Sequence, residues 1–140
     1  MSCTHSHIKL RYGIDTSILV RLLTGDPAKD YEMTVQALEQ LLKQHPASAV
    51  FASNQVIGEA YIAVQHHYKV SKAEARAALL AVLSSGLVAP LDGMAVLNAI
   101  RSTEGCGLLD RLIASDYQTR GLTTLTHDRK MSTLEGVMRL

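Results

Sequence analysis

The sequence contains no tryptophan and a single phenylalanine, Phe51. Proteins that hold single-stranded nucleic acid by base stacking need several aromatic side chains along a basic groove. The five tyrosines of this chain are scattered rather than interleaved with basic runs. The composition therefore disfavours a binding module that works by stacking on successive bases.

Cysteine is also scarce, since Cys3 and Cys106 are the two in the chain. Cys3 falls in residues 1–8, which we predict to be a loose polar tail, so a disulfide framework is not expected. The first residues lack the charged start and apolar run of a signal peptide, and no apolar run reaches membrane-spanning length. We therefore expect a cytoplasmic protein that does not associate with a membrane.

Neither sign of charge is in clear excess. Lys and Arg number 14 against 13 Asp and Glu, which gives a net charge of +1. There is no global field to attract nucleic acid, so a polyanion would have to be recognised by a local patch. Hydrophobic residues make up 47% of the 140 residues, which predicts a single domain, 1–140, with one buried core.

Strand-like and helix-like segments alternate along the chain. The runs IKLRYGI, ASAVFAS, LVAPL and LTTLTHD predict four strands, and GVMRL is a candidate for a short fifth. Between these segments, apolar residues recur at helical spacing. Ser71 and Glu74 form the capping-box pattern that begins a helix. Such alternation is typical of a parallel sheet covered on both faces. We predict an α/β fold, a three-layer α/β/α sandwich around a central, mainly parallel sheet of four to five strands.

Two acidic residues directly follow predicted strands. Asp15 comes after RYGI and Asp128 after LTTLTH. Ligands of parallel α/β sheets bind outside the carboxyl ends of the strands, so both residues are predicted at that edge. The alternative for either residue alone is a helix cap, which is a common role of Asp after a strand.

Three further carboxylates lie on predicted helices. Glu59 shares a helix face with Val56 and Ala63, which predicts an inward carboxylate that needs a cation or a hydrogen-bond partner. A partly exposed Glu59 in a salt bridge is the other interpretation, and the helix alone does not decide between them. Asp110 begins the helix after GCG, where its charge suits the helix N-terminus. Asp116 is a candidate fifth acid or a polar residue at the rim of the same helix.

Carboxylates gathered at one edge of a sheet would suit a hard cation. Mg²⁺ and Mn²⁺ prefer oxygen ligands and keep water molecules that a substrate oxygen can displace. Such a cation can activate water and neutralise charge on phosphate oxygens. If the fold brings the acids together, the sequence therefore predicts cleavage of phosphodiester bonds.

The motifs RYGIDTSILVRLL, NQVIGEA and GLLDRLIASDYQTRGLTTLTHDRKM, in this order, closely resemble the PIN-domain ribonucleases, particularly the toxins of VapBC-type toxin–antitoxin pairs. The resemblance covers almost the whole chain. It implies a catalytic and Mg²⁺- or Mn²⁺-binding set made of Asp15, Glu59, Asp110 and Asp128. It also implies supporting positions around that set, which are Thr16 or Ser17, Asn54, Thr126 and Asp116.

The resemblance further implies an endoribonuclease with RNA as substrate, an antitoxin protein as partner and a homodimer. In the toxins, early helices form such contact surfaces, and here residues 28–44 and 71–84 carry apolar stripes that core packing would also explain. Candidate phosphate-binding residues are Arg21, Arg111, Arg120, Arg129 and Lys130, of which the last two are favoured because they follow Asp128.

Two other functions are weaker alternatives. A small-molecule phosphohydrolase with an Asp after its first strand would have a second Asp two residues later, where this chain has Ser17. A non-enzymatic PIN-like interaction module would not need all four acids, and all four are present.

Overall fold

The structure is a computed structural model that describes residues 10–140. The predicted tail, residues 1–8, and Cys3 lie outside the described residues. Helices and parallel strands alternate, so the predicted α/β class is confirmed. In chain order the elements are β1 (Arg11–Gly13), α1 (Thr16–Thr24), α2 (Ala28–Gln44), β2 (Ala49–Ala52), α3 (Asn54–His67), α4 (Lys72–Leu83), β3 (Ala89–Pro90), α5 (Met94–Arg101), α6 (Leu108–Thr119), β4 (Thr124–Thr126), a short 3-10 helix (Met131–Thr133) and β5 (Val137–Arg139).

The first three strands form one parallel sheet in the order β1-β2-β3. Tyr12 lies opposite Val50, and Phe51 lies opposite Ala89. The guanidinium of Arg11 covers the Phe51 ring, 5.0 Å from its centroid, so an exposed cation shields a half-buried aromatic face. This sheet fixes the end of β1, from which Asp15 projects.

The last two strands form a separate parallel sheet, in which Leu125 lies opposite Met138. Within residues 10–140 no strand hydrogen bond joins this pair to the first sheet, so the predicted single sheet of four to five strands is divided into three plus two. The segment between β4 and β5 lies beside α5 and α6, where Leu134 and Glu135 border a groove with both helices. The two-stranded sheet therefore lies next to the helical part of the fold.

Side-chain caps begin three of the helices. Asp15 caps α1, Ser53 caps α3, and Ser71 caps α4 with Glu74 completing the capping box. Each cap satisfies a backbone N–H that the first helical turn leaves without a partner. The predicted capping box of Ser71 and Glu74 is thereby confirmed.

The core lies where α1, α3 and α4 meet beside the sheet, and α5 and α6 extend it. Its fully buried large side chains include Leu19, Ile57, Leu79 and Ile100. Leu38 of α2 and Leu83 of α4 are also buried, so the apolar stripes of these two helices contribute to the core of the same chain. No helix in residues 10–140 combines the length and apolarity needed to cross a bilayer.

Candidate functional site

Asp15 stands at the junction of β1 and α1. Its Oδ1 accepts hydrogen bonds from the Ser17 hydroxyl at 2.7 Å and from the Ile18 backbone N–H at 3.1 Å. The Ser17 hydroxyl, and then the Ile18 N–H, lower the pKa of Asp15 below its ordinary value, because both stabilise the charged form. Asp15 is therefore a helix cap and, at the same time, an exposed anion at the carboxyl end of a strand.

Glu59 lies on α3 and is exposed. Its Oε1 accepts a hydrogen bond from the Thr16 hydroxyl at 2.5 Å, and its Oε2 accepts one from the Gln55 amide at 3.2 Å. These bonds, Thr16 first, lower the pKa of Glu59. Glu59 is therefore exposed and not inward. Within residues 10–140 it also forms no ion pair, so the expected salt bridge is absent among these residues as well. Its contact with Thr16 ties α3 to the residue that follows Asp15.

A groove of about 800 Å³ runs between α3 and α6. Glu59 and Asp116 border it from opposite helices, and the walls between them are largely apolar. Asp116 also accepts a hydrogen bond from Arg120 at 2.8 Å, as an exposed ion pair four residues apart on one helix. The predicted rim position of Asp116 therefore places it on the same groove as Glu59.

Asp110 lies in the first turn of α6, as predicted, and is half-buried. It borders a second groove of about 630 Å³, together with Lys72 and Arg76 of α4. It does not border the groove that contains Glu59 and Asp116. The two aspartates of α6 therefore face different depressions on the surface.

Asp128 follows β4 and is exposed. Its Oδ1 accepts backbone hydrogen bonds from Lys130 at 2.8 Å and Met131 at 3.1 Å. Thr126 completes the turn, because its hydroxyl accepts the Asp128 N–H at 2.9 Å. Asp128 and Thr126 are thus fixed by their own turn on the two-stranded sheet, while Asp15 belongs to the three-stranded one.

The hydrogen bond between Thr16 and Glu59 brings two of the predicted acids, Asp15 and Glu59, to the end of β1. In the part of the chain that the structure describes, no group of three or more His, Cys, Asp or Glu side chains is placed to hold a metal ion. Mg²⁺ is commonly held by one or two carboxylates, with water and substrate oxygens as its other ligands. The chemistry of Asp15 and Glu59 therefore fits such a cation.

Two residues of α3 have contacts that the sequence did not predict. Asn54 is buried, and its Nδ2 donates to the Leu112 carbonyl oxygen at 3.0 Å, which ties α3 to α6. Its Oδ1 has no hydrogen-bond partner among residues 10–140. The Gln55 side-chain amide donates a hydrogen bond to Glu59. Their spacing of four residues on a predicted helix could have indicated this pair.

The candidate phosphate-binding residues fall into two groups. Arg21 pairs with Asp30 at 3.1 Å, Arg111 donates to the carbonyl oxygen of Cys106, and Arg120 pairs with Asp116. The side chains of Arg129 and Lys130 form no hydrogen bond or ion pair within residues 10–140 and are exposed. These two cations beside Asp128 are therefore available to a phosphate.

Comparison with known proteins gave one match. A family model described as PIN domain matches residues 12–137. The match begins in β1, ends in β5 and includes all four acidic residues of the predicted set. No curated protein and no solved structure matches the chain.

Proposed function

The chain belongs to the PIN domain family, and from that premise we propose that it is a Mg²⁺- or Mn²⁺-dependent endoribonuclease. PIN domains are generally nucleases, and divalent cations are their usual cofactors. The observation that carries the proposal is the Asp15–Thr16–Glu59 arrangement, in which two carboxylates with lowered pKa values are held beside the end of β1.

The reaction proposed is hydrolysis, in which water attacks phosphorus and a phosphate–oxygen bond of the RNA backbone breaks. A divalent cation, when bound, would supply positive charge for the phosphate and a more acidic water. Asp15 and Glu59 contribute fixed negative charge, since hydrogen bonds from Ser17 and Thr16 keep them ionised. The exposed cations Arg129 and Lys130 would bind flanking phosphates. Asp15 and Glu59 would hold the cation, with water and phosphate oxygens as its other ligands.

The test uses the purified chain, end-labelled single-stranded RNA and either Mn²⁺ or Mg²⁺. We expect cleavage that stops in excess EDTA and is abolished in Glu59→Gln. The matched control is Glu39→Gln, which removes the same charge from an exposed position on α2 and should leave the rate unchanged. A wild-type chain that leaves RNA intact at saturating Mn²⁺ would favour the interaction module instead, and cleavage that persists in EDTA would refute the cation requirement.

We also propose that the protein is a toxin controlled by an antitoxin. The support is the resemblance of its motifs to VapBC-type toxins, together with exposed apolar side chains beside Glu59. Ile62, Leu109 and Ile113 border the groove between α3 and α6, and each is more than one third exposed. A partner segment seated there would cover apolar surface and reach Glu59.

Co-expression with the product of the reading frame immediately upstream tests this role. We expect a stable complex in which RNA cleavage is suppressed, and release of cleavage when the complex is dissociated. Separate purification of the two proteins, with no inhibition on mixing, would contradict it.

A further inference from the structure

The groove that Asp110 borders lies between the starts of α4 and α6. Its volume of about 630 Å³ is large enough for a small ligand or for a short segment of a larger one. Tyr61 and Gln65 of α3 and the backbone around Gly105 complete its border. The groove therefore joins one residue of the predicted acidic set to the first turns of α4, which have no part in the reaction proposed above.

Two cations border this groove from the same face of α4. Lys72 and Arg76 are four residues apart, so their side chains are neighbours on the helix surface. Within residues 10–140 neither forms an ion pair, and the carboxylate of Glu74 is occupied by the backbone N–H of Ser71 in the capping box. Among the described residues that border the groove, two positive charges thus face the single negative charge of Asp110.

Arg76 is held in place by its own contacts. Its Nη1 donates to the carbonyl oxygens of Ile100 at 2.7 Å and Ser102 at 2.8 Å. Its guanidinium lies 6.0 Å from the centroid of the Tyr61 ring, while Nε and Nη2 donate no hydrogen bond within residues 10–140. A guanidinium fork matches the oxygens of a phosphate, and one that is already fixed loses little freedom when it binds. Arg76 therefore offers the groove a pre-organised donor.

The N-terminus of α6 adds to the positive character of this groove. Gly107 caps α6 without a side chain, and it borders the groove together with Leu108. A Cβ built at Gly107 would meet nothing within 4 Å, so the space beside this backbone is open. Backbone N–H groups at the start of a helix favour anions, phosphate groups among them. The cavity, the two cations and the helix start therefore all suit the same kind of ligand.

We propose that this groove binds the backbone of the RNA strand beside the scissile bond, with Lys72 and Arg76 as its phosphate-binding residues. The proposal rests on the nuclease function proposed above, which supplies the RNA and assigns Asp110 to the acidic set. This site is separate from Arg129 and Lys130, which follow Asp128. Phosphate contacts fix the register of a strand and do not read its bases, so the groove positions the cut without selecting a sequence.

Binding of RNA without cleavage tests the groove. The probe is a fluorescein-labelled single-stranded RNA of mixed sequence, and its anisotropy is measured with the Glu59→Gln chain in EDTA, so that the strand stays intact. Lys72→Met is added to this background, because Arg76 also stabilises the fold. The matched control is Lys43→Met, which removes the same charge from an exposed position beside Ser85, just past the other end of α4.

The salt dependence of binding reports the number of phosphate contacts. For a single strand, each lost contact reduces the slope of log K against log salt concentration by about 0.7. We expect Lys72→Met to bind more weakly and to lose about 0.7 from the slope, while Lys72→Arg and Lys43→Met keep it. A slope unchanged in Lys72→Met, or reduced equally in Lys43→Met, would overturn the proposal.

This measurement separates the groove from the nuclease function, because it needs no cleavage. A wild-type chain that binds RNA through Lys72 and leaves it uncut would keep the groove and refute the nuclease. A chain that cuts RNA with a slope independent of Lys72 would keep the nuclease and refute the groove. A chain that neither binds nor cuts RNA would refute both.

Amide spectra of the Glu59→Gln chain locate the contact. Gly105 and Gly107 border the groove, so their N–H resonances report a phosphate bound there. We expect the RNA to shift both resonances at concentrations at which inorganic phosphate does not, and the shifts to be lost in Lys72→Met. Equal shifts with inorganic phosphate would assign the groove to a small phosphate compound and overturn the proposal. RNA that leaves both resonances in place would overturn it as well.

Discussion

Thr16 and Glu59 lie 43 residues apart in the chain and are joined by a hydrogen bond of 2.5 Å from the Thr16 hydroxyl to Glu59 Oε1. The bond connects the first turn of α1 to α3. Since Thr16 follows Asp15 directly, it also ties Glu59 to the residue next to Asp15. Thr16 is therefore a positioning residue, and its loss should raise the pKa of Glu59 towards its ordinary value.

Thr16→Val removes the hydroxyl and keeps the shape, and Thr16→Ser keeps the donor. The hydrogen bond lowers the pKa of Glu59, so in Thr16→Val that pKa should rise towards its ordinary value. If cleavage needs ionised Glu59, the acid side of the rate profile should then move to higher pH, while Thr16→Ser keeps the wild-type profile. Rates measured across pH, with thermal melts to check folding, decide this. Identical profiles for all three proteins would show that Thr16 has no such role.

The two aspartates of α6 should differ in their effect on cleavage. We expect Asp110→Ala to abolish it, because the resemblance places Asp110 in the acidic set. Asp116→Ala should lose less, because its carboxylate is already paired with Arg120 at 2.8 Å. Turnover of the two purified variants at saturating Mn²⁺ is the measurement, with Arg120→Ala as a control for loss of the ion pair. An equal loss of turnover, with both folds intact, would assign Asp116 a direct role.

The capping box of α4 gives a pH-dependent contribution to stability. The backbone N–H of Ser71 donates to Glu74 at 2.8 Å, and this bond is the main cause that lowers the Glu74 pKa in the folded chain. A lowered folded pKa stabilises the fold above the unfolded pKa, and that stabilisation is lost as pH falls through the folded pKa. Glu74→Gln should therefore melt below wild type at neutral pH, and the difference should shrink as the pH falls below the ordinary pKa of a glutamate and then through the lowered pKa of Glu74.

Melting temperatures of Glu74→Gln, Glu39→Gln and wild type across this range provide the check. Glu39 is exposed on α2, and among residues 10–140 its side chain forms no hydrogen bond, so its change should leave no pH-dependent difference. A Glu74→Gln difference that stays constant down to acid pH would refute the charged capping interaction.

We expect Arg76 to stabilise the fold, because its side chain joins α4 to the end of α5. Its Nη1 donates to the carbonyl oxygens of Ile100 at 2.7 Å and Ser102 at 2.8 Å, where α5 ends. Arg76→Met keeps the aliphatic length but leaves these carbonyls without the donor, so we expect a loss of about 1–3 kcal/mol in the free energy of unfolding. Urea denaturation measures it, and Lys72→Met, exposed on the same helix, should change stability by no more than about 0.5 kcal/mol. Equal effects of the two changes would contradict the role of Arg76.

Most helix limits could be predicted because their signals are local. Ser53 and Ser71 cap the helices that follow them, and the α2 helix ends at Gln44, just before Pro46. A cap or a proline acts on the backbone within a few residues, so no knowledge of the distant chain is needed. The same holds for Asp110, which its position after GCG placed in the first turn of α6.

The arrangement of the site could not be predicted in the same way, because it depends on contacts far along the chain. Helical periodicity correctly puts Glu59 on a face with Val56 and Ala63, but that face borders an open groove, and both neighbours are only half-buried. The segment LTTLTHD predicted β4 as a strand without predicting its neighbour. Strand pairing depends on tertiary contacts far along the chain, as between β4 and β5, whose residues Leu125 and Met138 lie opposite each other.

The third strand of the first sheet, β3, has only two residues, Ala89 and Pro90. The Leu91 N–H points towards β2, where it bonds to the Ala52 carbonyl oxygen, so by alternation the nitrogen of Pro90 faces the outer edge. Proline has no N–H, and that edge therefore lacks the donor at which a further strand would begin to pair. Growth of the first sheet is thus blocked on the β3 side. The chain thereby lacks, at that edge, the template on which further copies could add strand by strand into fibres.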